Sequence, residues 1–253
     1  MTAPMPNSDQ NKSDRKSRFV LVVDSDAKNL AFLSKLLLRF NYQFIHAATG
    51  EETLDMATII VPCLAIISLE LPGMTGLELI QQLSRNSATN HIPVVGLLQK
   101  DNADEKKRCY DNGAIGSLYR PIDPEALYRT IQVAVEKNPR SSMRVRTVQP
   151  VRLKNGGQRG LSGAHTLDLS ARGMFLRTTH SVSVDTKLSL QLDLSGRTIS
   201  TEALVLYKCN AGEGPYREPG IGLRFVEIAP KDQEFIRQFI KDDVTRGIAP
   251  GFM

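Results

Sequence analysis

Two arginines and a compact turn carry the side chains that are best suited to bind an anion. Arg140 and Arg144 stand four residues apart, and Asp168, Ser170 and Gly173 follow in the order Asp-x-Ser-x-x-Gly. Guanidinium groups are planar, permanently charged donors that match phosphate oxygens and the acceptor edge of guanine, and they also stack on purines. A carboxylate accepts hydrogen bonds from the N–H edge of guanine, a hydroxyl donates or accepts, and glycine lets a backbone turn approach a ligand closely. Together these residues suit a guanine nucleotide that carries phosphates.

Each half of this pattern also has a simpler interpretation. In a chain with 32 lysines and arginines, two solvated arginines at this spacing arise by chance. The Asp-x-Ser-x-x-Gly run is also typical of an ordinary Asx-type turn between strands. The order of the parts favours a binding site, because the arginine pair precedes a β-rich segment and the turn leads into another strand.

Charge is divided unevenly along the 253 residues, whose net charge is +5. Positions 138–253 carry 17 basic and 11 acidic residues, whereas positions 19–137 carry 11 basic and 14 acidic ones. Positions 138–160 hold six basic residues and no acidic one, a cluster that attracts a dinucleotide, nucleic acid or an anionic membrane surface. This cluster contains no aromatic residue for base stacking and no evident recognition helix, so we do not expect a nucleic-acid partner.

Apolar runs in this chain are far too short to span a bilayer, and the first residues lack the apolar core of a secretion signal. We therefore expect a cytoplasmic protein without membrane insertion. Cys63, Cys109 and Cys209 are widely separated, and the four histidines are scattered and form no catalytic set. We expect reduced thiols, no metal cofactor and no enzymatic activity.

Short apolar runs alternate with amphipathic stretches between positions 19 and 137, which predicts an α/β flavodoxin-like doubly wound domain with five parallel strands. The predicted helix starts are Asp26, Thr49, Thr75, Asp101 and Asp123. The predicted strands are Phe19–Asp24, Tyr42–His46, Leu64–Ser68, Ile92–Leu97 and Ile115–Tyr119.

Positions 147–245 predict a different, all-β domain. Short alternating segments divided by Gly, Asn and Pro favour a barrel or sandwich, and Pro230 opens a C-terminal helix with a barrel-packing stripe. Residues 138–146 form a predicted linker that carries the arginines, and residues 1–18 and 246–253 are predicted tails, the first disordered. The six predicted strands are Thr147–Leu153, His165–Leu169, Met174–Thr178, Lys187–Leu194, Thr198–Tyr207 and Ile221–Val226.

Positions 18–138 resemble the receiver domain of two-component response regulators. The resemblance rests on Val22-Val23-Asp24 after the first strand, on Leu71-Pro72-Gly73-Met74-Thr75-Gly76 after the third and on Arg120-Pro121 after the fifth. The family implies a phosphoryl-accepting aspartate and a Mg²⁺ site at the carboxyl ends of the strands, and a face around the fifth strand that docks partners or a second copy.

Several landmark positions depart from the receiver family. The phosphoacceptor position is Ser68, whose neutral hydroxyl is a poor substitute for a carboxylate nucleophile that also binds Mg²⁺. Leu98 replaces the phosphoryl-sensing hydroxyl, Ser117 replaces the aromatic switch residue, and Arg120 replaces a lysine. The departures imply a degenerate receiver that is not phosphorylated on aspartate.

Asp24 and Asp26 retain two interpretations. They form a strand-end turn followed by a helix cap, or they are the remnant of a Mg²⁺ site. The first interpretation agrees with the expectation that no metal is bound.

Positions 138–245 resemble PilZ domains, which are six-stranded β-barrel modules that bind the bacterial second messenger cyclic di-GMP. All five motif positions match, from Arg140 and Arg144 to Asp168, Ser170 and Gly173, and the likeness continues through Pro219–Phe225 and the closing helix. The resemblance implies an all-β six-stranded barrel with a C-terminal helix, in which these five residues bind cyclic di-GMP.

The two resemblances together predict a cyclic di-GMP effector. Ligand binding to the PilZ-like domain would draw down the linker and reorient a non-phosphorylatable receiver-like domain, which would signal to a protein partner or form a homodimer. Two alternatives stay open: a scaffold whose PilZ-like domain binds no ligand, and a response regulator controlled by phosphorylation.

Overall fold

The computed structural model describes residues 19–153, 164–179, 182–213 and 216–248. These residues form two compact units, one that includes 19–141 and one that includes 142–243. The predicted tail 1–18 lies outside the described residues, as do the last five residues of the predicted tail 246–253. No helix in the described ranges combines the length and the apolar character that crossing a bilayer would need.

The first unit is a five-stranded parallel sheet with the strand order β2-β1-β3-β4-β5, which confirms the flavodoxin-like prediction. Its strands are β1 Phe19–Val23, β2 Gln43–Ala47, β3 Leu64–Ser68, β4 Val94–Leu98 and β5 Gly116–Tyr119. Its helices are α1 Ala27–Arg39, α2 Gly50–Ile60, α3 Gly76–Arg85, α4 Ala103–Asp111 and α5 Pro124–Val135.

Helix starts in this unit follow the capping residues, with one exception. Asp26, Thr49, Thr75 and Asp123 lie at the predicted starts, and each accepts a hydrogen bond from a backbone N–H in the first turn of the next helix. The prediction for Asp101 is wrong, because Asn102 is the residue that directly precedes α4 and accepts the N–H groups of its first turn. Only the residue next to the first turn reaches those amides, and Asp101 lies one position too early.

The central strands of this sheet are buried along almost their whole length, and apart from Ser68 and Gly96 their side chains are apolar, because they are covered on both faces. All five residues of β3 and of β4 are buried, as are four of the five residues of β1. The carboxyl ends of β1 and β3 lie next to each other, so Asp24 and Ser68 are brought to the same edge of the sheet.

The second unit is an antiparallel sheet of seven strands in the order β6-β8-β9-β12-β11-β10-β7, followed by the helix α6 Pro230–Thr245. Ile236 and Ile240 of α6 are buried, which agrees with the predicted packing stripe. The strands are β6 Arg144–Val145, β7 Val151–Leu153, β8 His165–Ser170, β9 Gly173–Arg177, β10 Lys187–Leu194, β11 Arg197–Cys209 and β12 Gly220–Ile228.

The seventh strand, β6, lies within the predicted linker 138–146, and the first predicted strand, Thr147–Leu153, is shortened to β7. The segment 144–153 forms β6, which pairs with β8, and β7, which pairs with β10. Pro150 lies between them, forms an isolated bridge to His165 and has no N–H to donate to a continuous ladder. One segment thus contacts both edges of the five central strands and closes the sheet into a barrel. Arg144, predicted to lie in a linker, is part of this segment.

Substitution of Gly173 by alanine is expected to destabilise the second unit. A Cβ at this position would lie 2.1 Å from the carbonyl oxygen of Leu223, a backbone atom of the paired strand β12 that cannot rotate away. Overpacking of this kind lowers the free energy of unfolding by about 1–3 kcal/mol. Thermal unfolding of Gly173→Ala beside the parent chain measures the effect.

Gly116→Ala is the matched control, since its Cβ would meet no atom closer than 3.7 Å. An equal change in melting temperature for the two variants would contradict the close approach at Gly173.

Candidate functional site

The pairing of β6 with β8 brings a guanidinium to a buried carboxylate. Arg144 lies opposite Ser170 in this pair, and its Nη1 atom is 3.8 Å from Oδ2 of Asp168. The side chain of Asp168 is 10% exposed, whereas that of Arg144 is 42% exposed. The structure therefore brings together Arg144, Asp168 and Ser170, and it leaves part of the Arg144 side chain open to solvent.

The turn that follows β8 is held by its own serine. The Ser170 hydroxyl donates to the carbonyl oxygen of Gly173 over 2.9 Å and accepts from the N–H of Arg172 over 3.4 Å. Gly173 was expected to admit a ligand close to the backbone. In the structure the close neighbour is the carbonyl of Leu223, so the missing side chain is needed for strand packing. Contact of Ser170 and Gly173 with a ligand stays a prediction.

Arg140 belongs to the first unit, unlike Arg144. Its backbone N–H donates to Oε1 of Gln132 on α5 over 2.9 Å. The Gln132 amide in turn donates to the hydroxyl of Tyr42 over 3.1 Å, and both of these side chains are buried. The sequence analysis combined Arg140 and Arg144 into one motif. A joint role of the two arginines in ligand binding stays a prediction.

Two further residues extend this site, and the sequence analysis singled out neither of them. Tyr216, in the connection between β11 and β12, donates its hydroxyl to Oδ2 of Asp168. The guanidinium carbon of Arg146 lies over the Tyr216 ring, 5.4 Å from its centroid. Residues two apart on an extended segment point to the same side, so Arg146 could have been found from its spacing to Arg144. Tyr216 is 48 residues beyond Asp168 and has no local pattern that reveals it.

Tyr216 belongs to an aromatic cluster with Phe175 and Tyr207. The ring centroids of Phe175 and Tyr216 are 4.9 Å apart, and those of Phe175 and Tyr207 are 6.3 Å apart. Gly222 makes room for this cluster, because a Cβ there would lie 2.2 Å from the ring of Tyr207. Gly222, the second glycine of the Pro219–Phe225 segment, is thus explained by ring packing.

The hydroxyl of Tyr216 is held in its protonated form. Burial raises the pKa of Tyr216, and the negative charge of Asp168 and the hydrogen bond to it raise this pKa further. The positive charge of Arg144 acts in the opposite direction and is the weaker effect. Tyr216 is therefore a neutral donor to Asp168 at physiological pH.

The carboxyl edge of the first sheet contains a second buried carboxylate. Oδ2 of Asp24 accepts a hydrogen bond from Nη2 of Arg120 over 2.5 Å, and its Oδ1 accepts the backbone N–H of Asp26 over 2.9 Å. The same Nη2 lies 3.4 Å from Oγ of Ser68. Arg120 thus contacts both the remaining acidic residue and the residue at the phosphoacceptor position.

A metal ion at this edge would have to compete with protein donors. Both oxygens of Asp24 are engaged, and Asp26 accepts two backbone N–H groups as the cap of α1, in agreement with the simpler of its two interpretations. Among the residues that the structure describes, no group of three or more His, Cys, Asp and Glu side chains is placed to hold a metal ion.

A groove of about 410 Å³ lies between α4, β5 and α5. Ser117, which stands where receivers have an aromatic residue, lines this groove with a small side chain. Tyr110, Ile115 and Val133 also line the groove and are exposed large apolar residues.

Comparison with protein families divides the chain as its two compact units do. Residues 20–132 match the model of the response regulator receiver domain. Residues 138–242 match the model of the PilZ domain.

Individual relatives are similar to parts of the chain. A probable cyclic di-GMP phosphodiesterase of Vibrio cholerae is 30% identical over 103 residues, which are 41% of this chain and 23% of that protein. The protein PilH of Pseudomonas aeruginosa is 27% identical over 116 residues, 46% of this chain and 96% of that protein. The crystal structure of the chemotaxis protein CheY4 of Vibrio cholerae has a TM-score of 0.44 at 28% identity, and the match covers 46% of this chain and 98% of that one.

Replacement of Tyr216 by phenylalanine is expected to change how stability depends on pH. Below the tyrosine pKa of about 10 in the unfolded chain, both states keep the proton, and ionisation of Tyr216 has no effect. Above that pH the unfolded chain releases the proton while the folded chain retains it, so the folded state of the parent loses stability as pH rises.

Unfolding of the parent and of Tyr216→Phe at pH 8 and at pH 10.5–11 checks this expectation. The parent should lose more stability than the variant over this interval. Equal losses in both chains would show that Tyr216 ionises as freely in the folded chain as in the unfolded one.

Proposed function

Because this chain joins a response-regulator receiver domain to a PilZ domain, we propose that it is a non-enzymatic effector of cyclic di-GMP. The PilZ domain binds the dinucleotide, and the receiver domain passes the change to a protein partner. The observation that carries the proposal is that Arg144, on the segment that closes the barrel, lies beside the buried carboxylate of Asp168, while Arg146 on the same segment lies over the ring of Tyr216, which donates to that carboxylate.

The chemistry of these side chains suits the two parts of the ligand. Asp168 is an acceptor for the N–H edge of guanine, and the guanidinium of Arg144 suits a phosphate or a guanine acceptor edge. Arg144 is still 42% exposed and 3.8 Å from Asp168, a long contact that leaves its other donors available to a ligand. We assign Ser170 and Gly173 to the same site, on the turn next to Asp168.

The proposed signal depends on Arg140. Its backbone is held by Gln132 on the last helix of the receiver domain, whereas Arg144 is part of the PilZ sheet. A ligand that engages both arginines must fix four consecutive peptide units between them, and this ordering changes the orientation of one domain relative to the other.

We also propose that the receiver domain does not use aspartate phosphorylation. Ser68 offers a hydroxyl where an acceptor carboxylate would be needed, and Arg120 already neutralises the buried charge of Asp24. A receiver fixed in this way acts as a docking module. The apolar groove at Ser117, with Tyr110 and Val133 exposed beside it, suits apolar side chains of a protein partner.

Arg144→Ala is expected to weaken binding of cyclic di-GMP by at least about tenfold. A hydrogen bond to a charged group contributes about 1.5–3 kcal/mol, and about 1.4 kcal/mol is a factor of ten in affinity. Calorimetric titration of the full chain with cyclic di-GMP measures the dissociation constant. GTP is the control nucleotide and should bind more weakly than cyclic di-GMP.

Arg237→Ala is the matched control, since its side chain is 40% exposed and pairs with Glu234 on α6 in the same domain. Dyes placed on the two domains would report the reorientation as a change in energy transfer that the parent shows and Arg144→Ala does not. Parent-like affinity of Arg144→Ala would show that the site is misassigned. Complete absence of binding in the parent would favour the scaffold alternative.

Acetyl phosphate with Mg²⁺ is expected to leave the chain unlabelled. The reagent transfers its phosphoryl group to a carboxylate in receivers, and Ser68 is not one. Mass spectrometry of the intact protein detects an added phosphoryl group, with a receiver that has the acceptor aspartate as positive control. A hydroxylamine-sensitive label on this chain would favour the response-regulator alternative.

A further inference from the structure

Tyr216 contacts the two side chains of the PilZ site that are suited to bind a base, the carboxylate of Asp168 and the guanidinium of Arg146. Its hydroxyl donates to Oδ2 of Asp168, as the N–H edge of a guanine would. Its ring lies under the guanidinium of Arg146, as a purine would. No other side chain in the described ranges is shown to make both contacts.

The surroundings of Tyr216 are those of a base-stacking position. Phe175 is nearly fully buried and packs against Tyr216 at a centroid distance of 4.9 Å and an interplanar angle of 43°. Flat apolar surface on one element and a guanidinium on another are what single bases use to stack in proteins. The site is thus built for a planar ring with a donor edge.

The position of Tyr216 in the chain allows its side chain to move away from Asp168. It lies in the connection between β11 and β12, outside the ladder of either strand, and is half-buried. Asp168 and Phe175, by contrast, are buried residues of the paired strands β8 and β9. Movement of Tyr216 requires no strand pair to open.

From this geometry we propose that Tyr216 is an internal stand-in for a guanine base and that cyclic di-GMP displaces it from Asp168 and Arg146. This inference rests on the proposed function, since it assumes that the dinucleotide binds at Asp168. Tyr216 then sets the affinity of the site by competition. A charged carboxylate is kept partnered in the free protein, and the ligand gains only the difference between its own contacts and those of Tyr216.

Removal of the competitor is expected to strengthen binding. Tyr216→Phe loses the hydrogen bond to Asp168 but keeps the ring, and Tyr216→Ala loses both contacts. Calorimetric titration of the full chain with cyclic di-GMP should give a dissociation constant several-fold lower for Tyr216→Phe and about tenfold lower for Tyr216→Ala. Tyr128→Phe, a tyrosine on α5 that packs against Phe40 within the receiver domain, is the control and should bind like the parent.

The outcomes separate this inference from the proposed function. Binding by the parent and its loss in Arg144→Ala support the site, whatever Tyr216 does. Unchanged or weaker binding by both Tyr216 variants would then overturn only the displacement of Tyr216. Binding by Tyr216→Ala in the absence of binding by the parent would support both, and absence of binding in all variants would overturn both.

A second measurement follows the tyrosine directly. NMR of the chain with carbon-13 at tyrosine Cζ follows the hydroxyl of Tyr216 at neutral pH, where the guanine N–H edge keeps its protons, and the Tyr216 resonance is identified by its absence in Tyr216→Phe. Its chemical shift responds to the hydrogen bond that the hydroxyl donates to Asp168. Saturating cyclic di-GMP should move this resonance toward the position of a solvent-exposed tyrosine. A Tyr216 resonance that the ligand leaves unchanged would contradict displacement, even if the affinities moved as expected.

Discussion

A buried carboxylate must have partners, and the architecture of the second domain follows from that requirement at Asp168. An unpaired buried charge costs several kcal/mol, or roughly 3–5 kcal/mol when one partner of a buried pair is removed. Two distant parts of the chain meet this need: the strand β6 delivers Arg144, and the connection before β12 delivers the hydroxyl of Tyr216. The site is therefore complete as a set of mutual contacts before any ligand arrives.

The receiver domain also contains a buried carboxylate, Asp24, and this carboxylate is paired with an arginine. Asp24 is 2% exposed, and its partner Arg120 comes from the end of β5, with Ser68 beside both. In an active receiver the corresponding charges would be shared with a metal ion and a phosphoryl group. Here they are matched within the chain, and the two pairs differ in exposure, because the side chain of Arg120 is 12% exposed and that of Arg144 is 42% exposed.

Sequence patterns predicted what is local in this molecule. The structure confirms the predicted alternation of strands and helices in the first unit. It also confirms the caps Asp26 and Asp123, which act on N–H groups in the turn that directly follows them. The two-residue strand at Arg144 was not predicted, because it exists only through pairing with a segment some 25 residues away. Tyr216 was missed for the same reason: its contact with Asp168 is set by the packing of Phe175 and the barrel, and no short spacing encodes it.

The closure of the barrel by one segment has a consequence for any fragment of this protein. Residues 144–153 cover the edge of β8 at one end and the edge of β10 at the other. A fragment that begins after Val145 would leave a row of unpaired N–H and C=O groups along β8, and exposed edges of this kind promote association between sheets. Truncation would thus remove Arg144 and expose the edge of β8 at the same time. Loss of ligand binding and aggregation of the fragment could then not be assigned to separate causes. Only point substitutions can separate solubility from recognition in this domain.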